Sequence, residues 1–169
     1  MNTVTVASTS AESAAALRTQ WAELDEKLQT GMTVHAFPKS GRNSSAYREF
    51  LEKSAGTDAA IVVTPDALHF DMARELIESG IHTLVVKPLT PGLAEAQSLC
   101  RLARERGVYG AVEFHKRWDE ANLYLKKILQ DNRLGDLLYV LVEYSQKKIV
   151  PSEFFKNWAA DTNVFQYLG

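Results

Sequence analysis

Residues 59–88 constrain the fold more than any other part of this chain, because they predict a strand, a helix and a second strand in succession. Residues 59–63 (AAIVV) and 83–86 (TLVV) are short apolar runs, which is typical of strands buried on both faces of a parallel sheet. The helix predicted between them begins at Asp66 and ends at Gly80. Parallel neighbours need a right-handed crossover, so this segment predicts a strand–helix–strand unit.

The ends of these two strands indicate where a ligand would bind. Thr64-Pro65 follows the first strand and Lys87-Pro88 follows the second. In open parallel sheets, ligands bind outside the carboxyl ends of the strands. We therefore expect both dipeptides at one edge of the sheet, with Lys87 directed at the binding site.

Strands and helices alternate through the first two thirds of the chain, which predicts an α/β fold with a parallel, doubly wound sheet. After residue 117 the pattern changes: a helix capped by Asp119 precedes residues 137–144, whose alternation predicts an antiparallel strand. We therefore predict a parallel α/β domain over residues 1–117 and the beginning of a second, α+β domain over 118–169. The strands predicted for the parallel sheet are 4–7, 34–37, 60–63, 83–86 and 109–113.

Composition excludes several classes of function. The net charge of −2 gives no basic field for nucleic acid or an anionic membrane. The single cysteine, Cys100, excludes an internal disulfide, and its place on the apolar stripe of a helix predicts a buried thiol. The apolar runs are too short to span a membrane, no signal peptide is visible, and the histidines lack metal-ligand spacing. We expect a cytoplasmic protein without a metal site.

Several segments together resemble a known enzyme family. They are DAAIVVTP (58–65), LH (68–69), GIHTLVVKPL (80–89), FHKRWD (114–119) and LGDL (134–137). This pattern is similar to the glucose–fructose oxidoreductase and inositol dehydrogenase (Gfo/Idh/MocA) family of NAD(P)-dependent enzymes. The resemblance covers roughly residues 4–169. It implies that residues 1–117 are a partial dinucleotide-binding (Rossmann-like) domain and that residues 118–169 are the beginning of a substrate domain. It implies an oxidoreductase that acts on a sugar, polyol or related hydroxy compound, binds NAD or NADP, and forms a homo-oligomer at full length.

The chain also departs from the family pattern. It has no Gly-x-Gly-x-x-Gly turn, and residues 4–7 correspond to the second strand of the family domain, so the first strand–helix unit is expected to be absent. The family places a histidine two residues after a glycine resembling Gly169, where this chain stops. Val86 stands where the family usually has glutamate. We therefore predict an internal fragment, and whether this chain is itself an enzyme stays open.

The resemblance assigns roles to residues of the predicted sheet edge. Lys87 would lie between nicotinamide and substrate, contacting both and supporting proton transfer. Thr64, Pro65, His69 and Pro88 would lie against the cofactor. A partly buried histidine whose hydrogen bonds are satisfied without a ligand is an equal alternative for His69.

Further assignments fall outside that edge. Ser8 and Thr9 stand where NAD-preferring relatives have an acid, which tilts the cofactor slightly toward NADP, although a helix cap would explain the same residues. Arg117 would contact cofactor and substrate, and a charged surface segment is the equal alternative. Trp158 and Gln166 would contact substrate. Two other functions remain open: a non-catalytic nucleotide-sensing or interaction protein on this fold, and a remnant without function.

Overall fold

The structure, a computed structural model, describes residues 3–53, 56–143, 145 and 147–154. The chain packs as two compact units, Met1–Asp58 and Ala59–Gly169. Each unit contains parallel strands joined by helices. The division at residue 58 is a different boundary from the predicted domain boundary at residue 117, which stays a prediction.

The first unit is a single strand–helix–strand crossover followed by a short helix. Its elements are β1 (Thr3–Ala7), α1 (Ala11–Leu28), β2 (Thr33–Phe37) and α2 (Ala46–Lys53). The two strands are parallel, with Thr3 opposite Thr33 and Ala7 opposite Phe37. Ser10 begins α1 because its hydroxyl oxygen accepts a hydrogen bond from the backbone N–H of Ser13, 3.2 Å away.

The second unit is built around a three-stranded parallel sheet. Its elements are β3 (Ala59–Val62), α3 (His69–Glu78), β4 (His82–Val86), α4 (Leu93–Arg106), β5 (Gly110–Glu113), α5 (Glu120–Gln130) and a π-helical turn (Val150–Phe154). The strand order is β3-β4-β5. The helices α3 and α4 pack against each other, and α3 packs on β3 and β4. Short 3-10 turns, Asp66–Leu68 and His115–Arg117, precede α3 and α5.

The core of the second unit lies between β4 and the helix pair. Thr83 and Val85 of the central strand are 2% exposed, and Leu76, Ile77 and Leu99 of the helices are also buried. β4 is buried because it has a strand on each side and helices packed nearby. This packing fixes the carboxyl end of β4, from which Lys87 projects.

Helix ends follow the glycine signals of the sequence. Gly107 ends α4 in the left-handed region, with φ +66°, and its N–H bonds to the carbonyls of Ala103 and Arg104. Gly80 follows α3 with φ +78°. Residues with a Cβ rarely adopt this conformation, so each glycine turns the chain directly from a helix into the next strand.

The predicted α/β fold with parallel strands is confirmed, and each of the five predicted strands forms within one residue of its expected bounds. The strands pair as two sheets, β1-β2 and β3-β4-β5, whereas the sequence predicted one continuous sheet. Alternating strands and helices do not by themselves specify which strands are neighbours.

Two further expectations differ from the structure. Residues 137–143 form no strand and are exposed, since no described strand lies alongside to complete their hydrogen bonds. Cys100 is exposed, because the inward stripe of α4 runs through Leu99 and Ala103 instead. Among the described helices, none has the length and apolar character needed to cross a membrane.

Candidate functional site

The carboxyl ends of the three strands in the second unit surround a cavity of about 360 Å³. Val62 is opposite Val85, and Val86 is opposite Glu113, so the loops that follow the three strands begin at one edge. The expectation that Thr64-Pro65 and Lys87 share this edge is confirmed. We call this space the Lys87 cavity, lined by Val63, Thr64, Pro65, Asp66, Val86, Lys87, Glu113 and His115.

Lys87 is the cation of this cavity and is half-buried. Burial lowers the pKa of its ammonium below the ordinary lysine value, while the carboxylates of Asp66 and Glu113 act in the opposite direction. Desolvation disfavours the charged form and a nearby carboxylate favours it. The result is a lysine that gives up its proton more readily than one in water, which suits a group that exchanges protons.

Asp66 and Glu113 are cavity residues that sequence reasoning missed. Asp66 is only 7% exposed, and Glu113 is the last residue of β5. The Glu113 Oε2 atom lies 3.3 Å from Nδ1 of His115, in the next turn of chain. Asp66 begins the turn that follows Thr64-Pro65, and Glu113 ends β5, so both acids lie near the carboxyl ends of strands; this position was the signal available to find them.

His69 lies behind the cavity and is completely buried. Its Nδ1 is 2.7 Å from the carbonyl oxygen of Pro88, and its Nε2 is 2.8 Å from the carbonyl oxygen of Thr64. Both ring nitrogens therefore face backbone oxygens in the described conformation. This geometry matches the alternative of a buried, hydrogen-bonded histidine, and it leaves no ring nitrogen directed at a ligand.

The backbone carbonyl of Thr64 has a hydrogen-bond partner, but its side-chain hydroxyl has none among the described residues. The carbonyl contacts His69, whereas the hydroxyl oxygen, Oγ1, is buried. Buried hydroxyl groups are normally hydrogen-bonded. An unpaired hydroxyl on a cavity-lining residue fits a loop that completes its hydrogen bonds when a ligand or water is bound.

Ser8 and Thr9 lie in the other packing unit, at the carboxyl end of β1. The Ser8 N–H donates to the carbonyl of Phe37 over 3.0 Å, and the Thr9 carbonyl accepts from the Asn43 N–H over 2.9 Å. The helix cap is Ser10. Ser10 therefore caps the helix, and the hydroxyl groups of Ser8 and Thr9 do not.

The remaining predicted residues lie elsewhere. Arg117 is exposed, does not line the Lys87 cavity, and places its guanidinium 4.4 Å from the centre of the Phe114 ring. Trp158 and Gln166 fall outside the described residues. Within the described part of the chain, no three histidine, cysteine or acidic side chains are grouped as a metal site.

Comparison with protein families gives one match that covers most of the parallel-strand region. The model of an oxidoreductase family with an NAD-binding Rossmann fold (GFO_IDH_MocA) matches residues 2–114, which is more than half of the chain. The match includes every strand described above and the whole Lys87 cavity except His115.

Curated relatives include two enzymes of Bacillus subtilis strain 168. The scyllo-inositol 2-dehydrogenase (NADP+) IolW is 32% identical over 98 residues, which cover 58% of this chain and 27% of the relative. A scyllo-inositol 2-dehydrogenase (NAD+) is 34% identical over 109 residues, covering 64% of this chain and 32% of the relative. The chain thus spans about a quarter to a third of the length of these relatives.

Solved structures agree on the fold. The myo-inositol 2-dehydrogenase of Lactobacillus plantarum superposes with a TM-score of 0.63 and 18% identity, over 95% of this chain and 42% of that protein. The WlbA dehydrogenase of Bordetella pertussis, solved with NADH and UDP-GlcNAcA, gives a TM-score of 0.58 and 22% identity, over 78% of this chain and 35% of that protein. At these identities the likeness concerns the fold alone.

Proposed function

This chain belongs to the oxidoreductase family with an NAD-binding Rossmann fold, whose model it matches over residues 2–114, and from that premise we propose that it supplies the Lys87-bearing part of an NAD(P)-dependent dehydrogenase. The substrate class is a sugar, polyol or related hydroxy compound. The reaction interconverts a secondary alcohol and a ketone. The observation that carries the proposal is a lysine of lowered pKa in a cavity at the carboxyl edge of a parallel sheet.

The Lys87 cavity has the features that a bound nicotinamide and a small substrate need. Its volume of about 360 Å³ falls at the lower end of the roughly 300–1,000 Å³ typical of small-molecule sites. It offers a cation, two carboxylates and the unpaired hydroxyl of Thr64. The apolar side chains of Val63 and Val86 line the same space and provide surface for a flat ring.

Lys87 would move the proton of the reacting hydroxyl. A bound nicotinamide would supply the hydride acceptor for the alcohol carbon, or the hydride donor for the ketone. In the oxidation direction the hydroxyl proton must go to a base, and a neutral Lys87 amine can accept it. In the reduction direction the Lys87 ammonium donates that proton to the forming alkoxide oxygen. Burial makes the neutral form more accessible, and the two carboxylates keep the protonated form available.

Asp66, Glu113 and His115 would bind the substrate hydroxyls. All three line the cavity, and Glu113 Oε2 lies 3.3 Å from His115 Nδ1. Carboxylates accept hydrogen bonds from hydroxyl groups, and an imidazole can donate or accept. A cavity lined by these polar side chains suits a polyol better than an apolar alcohol. The names of the inositol dehydrogenase relatives support the same class of substrate.

Ser8 and Thr9 would bind the adenosine ribose and favour NADP slightly. Neither is an acid, so neither repels a 2′-phosphate, and Ser10 alone performs the helix capping. The two curated relatives divide between NADP+ and NAD+ by name, which is why a direct measurement is needed.

The other assignments complete the proposed enzyme. Pro88 would contact the cofactor, and Arg117 would contact both cofactor and substrate. Trp158 and Gln166 would contribute substrate contacts from residues 118–169. Trp158 and Gln166 would belong to the substrate domain. The full-length protein would form a homo-oligomer.

The test uses protein expressed from its complete coding sequence. Titration with NADH and NADPH measures binding, and nicotinamide absorbance with a panel of inositols, sugars and simple alcohols measures turnover. We expect binding of at least one nucleotide and turnover of a polyol that is strongly reduced in Lys87→Ala. Nucleotide binding without turnover of any hydroxy compound would favour the nucleotide-sensing alternative. Absence of binding would refute the proposed function.

A further inference from the structure

His69 occupies an unusual position between the two loops that form the Lys87 cavity. One ring nitrogen contacts the loop after β3 at Thr64, and the other contacts the loop after β4 at Pro88. The ring thus bridges backbone segments 5 and 19 residues away along the sequence. Pro88 is covalently attached to Lys87, so anything that fixes the Pro88 carbonyl also limits where the Lys87 backbone can lie.

Hydrogen-bond chemistry restricts the protonation of this ring. A carbonyl oxygen only accepts, whereas a neutral imidazole has one N–H donor and one nitrogen lone pair. A neutral His69 would therefore direct a lone pair at one carbonyl oxygen less than 3 Å away. A ring with a proton on each nitrogen donates to both oxygens and leaves no such conflict.

The distances allow both nitrogens to donate. The separations of 2.7 and 2.8 Å lie within the roughly 2.7–3.2 Å range of N–H···O hydrogen bonds. A buried charge needs compensation. The nearby cavity contains two acids, Asp66 and Glu113, together with Lys87 and His115, and the buried Asp66 belongs to the turn that leads into His69.

We propose that His69 is a positioning residue for Lys87: protonated on both ring nitrogens, it donates hydrogen bonds to the carbonyls of Thr64 and Pro88 and so holds the two loops of the cavity in register. It touches neither substrate nor cofactor. The effect on catalysis rests on the proposed function of Lys87, whereas the protonation and the bridge are properties of the fold. The two parts are therefore tested separately.

The first experiment is nuclear magnetic resonance of the wild-type chain with ¹⁵N-labelled histidine. The sequence contains four histidines, and we expect one ring at neutral pH to show two slowly exchanging N–H protons. Replacing His69 by Gln should remove both. If that variant does not fold, replacing the other histidines (His35, His82 and His115) assigns the signals by elimination. A single ring N–H on His69, with a bare second nitrogen, would overturn the double bridge.

The second experiment measures turnover in protein from the complete coding sequence. His69→Gln keeps at most one of the two donated bonds, and we expect kcat to fall about 10- to 100-fold with nucleotide affinity unchanged, because misplacement of a reacting group by about 1 Å can cost 100-fold. The matched control is His82→Gln, which alters an exposed histidine at the opposite end of β4, where it accepts a hydrogen bond from Tyr109 N–H. Its kcat should not change.

A double-mutant cycle separates positioning from general stability. If His69 acts through Lys87, His69→Gln should add almost nothing to the kcat loss of Lys87→Ala, since the positioned group is already gone. Multiplicative losses would overturn the positioning role. If Lys87→Ala alone leaves kcat unchanged, the proposed function of Lys87 fails, while the histidine signals of the first experiment still decide the bridge.

Discussion

Replacement of Lys87 tests the central chemical claim, and the structure limits the size of the effect. Lys87 is half-buried and faces two acids, so it is a positioned group that stays partly hydrated. Positioned acid–base groups contribute about 100- to 10,000-fold to rate. Because partial hydration allows water to carry some protons, we expect Lys87→Ala to lower kcat by about 100- to 1,000-fold. At 1.36 kcal/mol per tenfold change, the barrier rises by about 2.7–4 kcal/mol.

Lys87→Arg distinguishes proton transfer from electrostatic binding. Arginine keeps the positive charge but does not release its proton near neutral pH, so it can hold an anionic oxygen but cannot accept the hydroxyl proton. We expect Lys87→Arg to lose nearly as much kcat as Lys87→Ala in alcohol oxidation, with a smaller change in KM. Lys126→Ala, at an exposed position of α5, is the matched control and should behave as wild type.

The assay is steady-state alcohol oxidation, monitored by nicotinamide absorbance, with the same polyol for every variant. Circular dichroism and the denaturant midpoint confirm that each variant is folded before rates are compared. Full activity in Lys87→Arg would show that only the charge matters and would refute proton transfer by this residue. Full activity in Lys87→Ala would remove Lys87 from the mechanism altogether.

Three further changes test the surroundings of the site and the packing beneath it. Glu113→Gln removes a carboxylate that favours the ammonium form, so the pKa of Lys87 should fall further and the alkaline limb of the pH profile for ketone reduction should move to lower pH; an unmoved limb would contradict the pairing. Leu99→Ala removes a side chain of α4 that is only 3% exposed, and it should lower the free energy of unfolding by about 2–5 kcal/mol. Leu93→Ala on the same helix, at a side chain 75% exposed, should change that free energy by less than about 0.5 kcal/mol. Equal denaturant midpoints for the two variants would show that α4 packs differently. Thr9→Asp should weaken NADPH binding relative to NADH, as measured by titration, and an unchanged ratio would exclude Thr9 from the ribose site.

The sequence was sufficient to predict the individual elements, because the local signals are strong. Short segments rich in apolar residues predicted the strands, and Gly80 marked a helix end that the structure confirms. Strand neighbours were harder to predict. The single sheet expected from the alternation divides into β1-β2 and β3-β4-β5, since periodicity describes one strand at a time and pairing depends on backbone contacts between strands.

Two other predictions failed because a local pattern does not specify what a segment packs against. Residues 137–143 alternate like a strand, yet none of the described strands pairs with them, and alternation alone provides no hydrogen-bond partner. The predicted apolar stripe contained Cys100 together with Leu93, Ala96, Leu99 and Ala103, and of these the structure buries only Leu99 and Ala103. A stripe read from hydrophobicity can be one helical position away from the face that packs, because 100° per residue separates neighbours.

The composition of the site depends on register, which explains why Lys87 was predicted and its acids were not. Lys87 follows its own strand, so its place at the sheet edge follows from one segment of sequence. Glu113 becomes a neighbour only because β5 pairs with β4 with Glu113 opposite Val86, and a shift by one residue would turn its side chain to the other face. Val86 stands where the resemblance expected a glutamate, and the structure brings a carboxylate to the same cavity from the adjacent strand. The end of a predicted strand was visible in the sequence for Glu113, but its place beside Lys87 follows only from the pairing of β4 with β5.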